Sequence, residues 1–115
     1  MSFAIIQTSP INHPAIWHGQ DMLLALASLD LNPQLILTGA AVQAWLSNQD
    51  QQRHGQSLHK RYALLELFDC PNVWIQASEY LAAGGPDNNW IATVEVIDDE
   101  LWSARLEEFQ HVLRY

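Results

Sequence analysis

Short β-branched or aliphatic runs alternate along this chain with longer stretches of helical period. That alternation is what an open, mostly parallel sheet with helices on its faces requires, because parallel neighbours need long crossovers and the helical stretches supply them. The predicted strands are Phe3–Gln7, Gln34–Leu37, Asn72–Gln76, Ile91–Ile97 and, last, His111–Leu113. A helix from Ala15 to Leu29 fills the first crossover, and the turn residues Asp30-Leu31-Asn32-Pro33 stop it. After the second strand Thr38-Gly39 turns the chain, Ala40–Leu46 forms a short helix, and the polar stretch Ser47–Gln56 is predicted as a loop and the most mobile segment. Ser57–Phe68 resumes helical spacing, with Leu58, Tyr62 and Leu65 on one face, until Asp69-Cys70-Pro71 breaks it. Ala77–Ala83 is a further helical turn or two, stopped by Gly84-Gly85-Pro86. In the last helix the acids Asp98-Asp99-Glu100 sit at the amino end, where the dipole favours them, and Trp102, Leu106 and Phe109 repeat on one face.

The expected architecture is therefore a single α/β domain over residues 1–115, a flavodoxin-like open sheet of five strands with helices on both faces. A chain of 115 residues is the usual size for one hydrophobic core. Although 49% of the residues are hydrophobic, the longest apolar block, Met22 to Leu29, falls far short of the ~18 to 20 residues that a membrane span needs. The first residues, Met1-Ser2-Phe3-Ala4-Ile5-Ile6, lack the basic region and small-residue cleavage site of a secretory signal and are expected to enter the first strand. A single cysteine rules out an internal disulfide and fits a reducing compartment, so the expected location is the cytoplasm.

Thirteen acidic residues against five basic ones give a formal charge of −8. Such a chain repels the phosphate backbone that nucleic-acid binders neutralise with Lys and Arg, and direct RNA or DNA binding is disfavoured. The cations Arg53, Lys60, Arg61, Arg105 and Arg114 form no run longer than two and are expected on solvated helix faces and a terminus.

Chemistry-bearing residues are sparse. The pairs His13/His18 and His54/His59 are each five apart, which on a helix separates them by roughly 140°, so neither pair forms a metal site, and no metal or cofactor is expected. Thr8-Ser9-Pro10-Ile11-Asn12 follows the first strand, where doubly wound folds bind phosphate, but it has no glycine to let a phosphate approach the backbone. It stands as the alternative reading, a small-molecule or nucleotide-binding domain. Cys70 lies beside Asp69 and near Glu66, acids that raise a thiol's pKa, and is expected to pack at a helix end instead of acting as a nucleophile. Trp17, Trp45, Trp74, Trp90 and Trp102 are many indoles for so small a core, so some are expected at an interface, with Trp45, Trp74 and Trp90 the candidates.

Several segments, in order and covering nearly the whole chain, resemble the DsrE/DsrF-like sulfur-relay family and within it most the TusC/DsrF subunit. They are the first strand with Thr8-Ser9-Pro10, Gly19-Gln20-Asp21-Met22-Leu23-Leu24, Gly39, Leu64-Leu65 with Phe68-Asp69, Trp74-Ile75-Gln76-Ala77-Ser78, and Val112-Leu113-Arg114-Tyr115. In the relay-active DsrE and TusD subunits a cysteine at the end of the third strand carries a persulfide, and here that position matches Gln76. The resemblance thus implies a non-catalytic subunit, assembled with DsrE/TusD-like and DsrH/TusB-like chains as a dimer of heterotrimers. The pathways it implies are 2-thiolation of the tRNA wobble uridine and sulfur oxidation.

Overall fold

In the computed structural model, which describes residues 2–115, the expected α/β class holds. Seven strands form: β1 (Phe3–Gln7), β2 (Gln34–Leu37), β3 (Gln52–Arg53), β4 (Gln56–Ser57), β5 (Val73–Gln76), β6 (Val94–Ile97) and β7 (His111–Arg114). The helices are α1 (Pro14–Ser28), α2 (Leu58–Tyr62), α3 (Leu64–Leu67), α4 (Ala77–Ala82) and α5 (Trp102–Leu106). Five strands make one wholly parallel sheet in the order β6-β5-β2-β1-β7, while β3 and β4 pair apart from it. The chain winds outward from β1 through β2 and β5 to β6, then returns to the far side of β1 as β7.

Alternation along the strands creates two cores. Ile5, Leu35, Leu37, Val73 and Ile75 face one way and meet Ile16, Trp17, Leu23 and Ala27 of α1 with Leu58, Tyr62 and Leu65 of α2 and α3. Ala4, Ile6, Ile36, Trp74 and Ile97 face the other way, packed by Trp102, Leu106 and Phe109. Because both faces are covered, the central strands are apolar apart from a glutamine at one end of each, and β2 is buried at all four positions.

Local chemistry explains where α1 starts and stops. Pro14 occupies its first turn, and the His13 side chain accepts from the Ala15 N–H at 3.0 Å, so this histidine is a helix cap. At the other end Asp30 adopts a left-handed φ of 59° and the Leu31 N–H returns to the Leu26 carbonyl, closing the helix.

Four expectations need correction. Ser57–Phe68 is two short helices, since hydrogen bonding shortens at Ala63 from the Ala63 N–H to His59 O, four back, to the Glu66 N–H to Ala63 O, three back. Ala40–Leu46 is a 3-10 helix spanning Gly39–Trp45. The strand predicted over Ile91–Ile97 begins only at Val94, because residues 89–91 pair with 45–47 instead: the Ile91 N–H donates to Trp45 O and the Ser47 N–H to Asn89 O, each at 2.9 Å. The last helix is 3-10 over Asp99–Leu101 and ends at Leu106, yet Trp102, Leu106 and Phe109 still share one core face.

The polar stretch Ser47–Gln56, expected as a loop, carries the β3–β4 hairpin. His54 and Gly55, with φ of 51° and 78°, make the tight turn between β3 and β4. Asp50 fastens this hairpin to α2, accepting from Ser57 Oγ at 2.6 Å, the His59 N–H at 3.0 Å and the Gln51 N–H at 2.8 Å. Burial alone would raise the Asp50 pKa, but the Ser57 hydroxyl and the two amides outweigh it and hold the carboxyl below its ordinary value. A depressed folded-state pKa gives stability that is present above the unfolded value and lost as pH falls through the folded one. Asp50→Ala is therefore expected to cost roughly 2 kcal/mol near neutral pH, and the difference from the parent should shrink steadily below about pH 4. Urea melts of both proteins across pH 2 to 7 check this.

Candidate functional site

In open parallel sheets, reactive groups gather beyond the carboxyl ends of the strands. β5 delivers Gln76 there, half-buried, and α4 follows without an intervening loop. Among the described residues the Gln76 carboxamide has no hydrogen-bond partner, and it does not cap α4. The surrounding donors are already committed to carboxylates. The Ser78 N–H in the first turn of α4 donates to Asp99 Oδ1 at 3.1 Å, and the Gly39 N–H beyond β2 donates to Glu79 Oε2 at 2.9 Å. Two amides at this end of the sheet that could stabilise an anion are thus held by carboxylates instead. The sequence reading missed Glu79 and Asp99, because topology alone brings them from α4 and from the turn after β6 to the Gln76 end of β5.

Cys70 lies elsewhere. It precedes β5 and lines a cavity of about 250 Å³ near the starts of β5 and β6, together with Trp45, His59, Tyr62 and Glu66. Burial, and then the neighbouring Asp69 carboxylate, push its thiol pKa upward. Its N–H closes α3 on the Leu65 carbonyl. The free thiol is thus half-buried just beyond the end of α3.

The alternative site beyond β1 is closed. The switch point of this topology falls between β1 and β7, and the Tyr115 backbone oxygen sits in it, accepting from the Thr8 N–H at 2.8 Å, the Ser9 N–H at 3.3 Å and Thr8 Oγ1 at 3.2 Å. The amides a phosphate would use are spent on the chain itself. Behind this loop lies a buried polar knot. Gln7 Nε2 donates to Ile16 O at 2.9 Å and the Tyr62 hydroxyl donates to Gln7 Oε1. Burial drives the Tyr62 phenol well above its usual range.

The tryptophans are redistributed. Trp45 and Trp74, expected at an interface, are only 3% and 5% exposed, because each found an internal partner for its indole N–H. Trp45 Nε1 donates to Ala92 O at 3.2 Å and Trp74 Nε1 to Glu95 Oε2 at 2.8 Å. Trp90 keeps part of its surface, stacked on Tyr80 at 5.0 Å with its N–H on Gly85 O. Among the described residues no three His, Cys, Asp or Glu side chains converge as metal ligands, and no helix is long and apolar enough to cross a membrane.

Sheet order and crossovers define an open, wholly parallel α/β domain whose third main-sheet strand ends without a thiol. The crystal structure of the YchN protein from E. coli superposes on the whole chain and 99% of its own with a TM-score of 0.82, at 19% identity. No family model matches the sequence. Two curated relatives do, both Protein TusC: one from Klebsiella pneumoniae strain 342 at 30% identity and one from Klebsiella pneumoniae subsp. pneumoniae at 29%. Each alignment spans 96% of this chain and 95% of the relative. The chain belongs to the TusC family.

Proposed function

We propose that this chain is a non-catalytic subunit of a cytoplasmic sulfur-relay complex, a single DsrE/DsrF-like domain over residues 1–115 that supports persulfide transfer by a partner. The carrying observation is Gln76, a side chain that cannot hold sulfane sulfur, at the strand end where the relay-active subunits carry cysteine. The carboxylates of Glu79 and Asp99 on the neighbouring amides support the same reading, since they oppose the anion that relay chemistry needs. The partners are a DsrE/TusD-like chain bearing the cysteine and a DsrH/TusB-like chain, in a dimer of heterotrimers. The sulfur goes toward 2-thiouridine at the tRNA wobble position or through sulfur oxidation, and with a net charge of −8 this chain leaves tRNA contact to its partners.

The test is co-expression of the three chains, sizing chromatography, and labelled persulfide transfer from a cysteine desulfurase. Co-elution is expected, with label on the partner's cysteine and relay unchanged in Cys70→Ser and Gln76→Ala. Three chains that never co-elute, or an assembled Cys70→Ser complex that no longer relays, would overturn the reading.

A further inference from the structure

On a chain with more than twice as many acids as Lys and Arg, one concave surface is built the other way. Two adjoining cavities of about 230 and 270 Å³ lie between the start of α1 and the β3–β4 hairpin, and Trp17 and Arg53 line both. His18, His54 and Arg61 line the first, and Asn12 the second. The one acid among the lining residues, Asp21, is already bonded to Arg61, whose guanidinium also lies over the Trp17 ring at 5.8 Å. Arg53 has no acidic partner within ion-pair distance among the described residues. The groove therefore presents an uncompensated guanidinium, two imidazoles and side-chain amides.

We propose that this groove is a binding site for a compact phosphate-class oxyanion. Arg53 offers a planar fork suited to two oxygens of one phosphate, and His54 and His18 add ring N–H donors. The site is held in advance. Arg53 and His54 sit on the hairpin that Asp50 fastens to α2, and α2 is in turn tied to α1 where Gln20 Nε2 donates to Leu58 O at 2.9 Å. The patch is small, with one free arginine and an acidic chain around it, so it suits one phosphate or pyrophosphate group better than the six to ten phosphate contacts of a nucleic-acid track. It is distinct from the Thr8-Ser9 amides, which Tyr115 occupies.

The isolated chain serves for the test, so its outcome is independent of whether the relay complex assembles. Sodium phosphate and pyrophosphate are titrated into 15N-labelled protein at low ionic strength, where screening is weakest, with sodium acetate at matched ionic strength as the comparison. Saturable shifts at Trp17, Arg53 and His54 are expected, with a pyrophosphate Kd on the order of 1 mM. Arg53→Gln should weaken binding about tenfold, and His54→Asn, which keeps a residue tolerant of the turn's φ, should weaken it less, both with unchanged melting temperature. Lys60→Gln, on α2 outside the groove, should bind like the parent. No saturation by either phosphate, equal binding of acetate, an equal loss in Lys60→Gln, or tighter binding of an unphosphorylated RNA oligonucleotide than of pyrophosphate would each overturn the proposal.

Discussion

Truncating Trp74 to alanine is expected to remove about 3 to 5 kcal/mol from the stability of the isolated chain, a fall in Tm on the order of 10 to 20 °C. The reason is the thinness of the core on that side of the sheet. Among the described residues five buried ones form it, and Trp74 is the largest of them. Its ring is held between Phe109, 5.2 Å away, and the Arg105 guanidinium, 4.5 Å above it. Arg105 also reaches Glu95 Oε1 at 3.4 Å while the Trp74 N–H donates to Glu95 Oε2, so one carboxylate holds both the indole and the guanidinium above it. Removing the indole leaves a cavity that α5 alone cannot refill and strips Glu95 of a donor. Thermal and urea melts of the chain without partners check this. A variant whose fold is unaffected but which fails to enter the complex would restore Trp74 to the interface.

The second large effect is expected at Gly19, a helical glycine where alanine ordinarily adds about 1 kcal/mol of stability. Here the sign reverses. A Cβ would stand 2.5 Å from Gln7 Nε2 and 3.0 Å from Tyr115 Cβ. Gln7 is wholly buried and cannot swing aside without breaking its bonds to Ile16 O and the Tyr62 hydroxyl. The expected net loss for Gly19→Ala is about 2 to 3 kcal/mol. Measuring it alongside Gly19→Ala combined with Gln7→Ala separates the contributions, because removing Gln7 relieves the closest contact. The double mutant should lose less than the sum of the two single mutants.

The sequence reading located β1 and β2 to the residue, since both are short apolar runs bounded by polar turns and buried on both faces. It placed the end of β5 at Gln76 for the same reason, and with it the candidate site. The hairpin escaped because Gln52-Arg53 and Gln56-Ser57 carry no apolar alternation. Its available signal was His54-Gly55, a pair suited to positive φ, with Asp50 poised upstream of Ser57. Ile91 looked like the start of a strand because it is apolar, but the pairing of residues 89–91 with 45–47 is a long-range choice that local pattern cannot express. For Trp45 and Trp74 the expectation of exposure failed on counting: it weighed five indoles against one core, whereas the sheet separates two. The groove around Arg53 was invisible for a related reason, as its cations are scattered in sequence and meet only once the hairpin folds against α1.

The pairing of β7 with β1 sets a folding order. The Ser2 N–H reaches Gln110 across 108 residues, and the Ile6 and Tyr115 backbones join strands from opposite ends of the chain. That closure costs more chain entropy than any other pairing in the sheet and cannot happen until the final strand has been synthesised. During translation β1 can settle on β2 while its other edge stays bare, with the amides of Thr8 and Ser9 exposed. A nascent chain held at this stage presents an unpaired apolar edge to whatever strand arrives first, its own or a neighbour's.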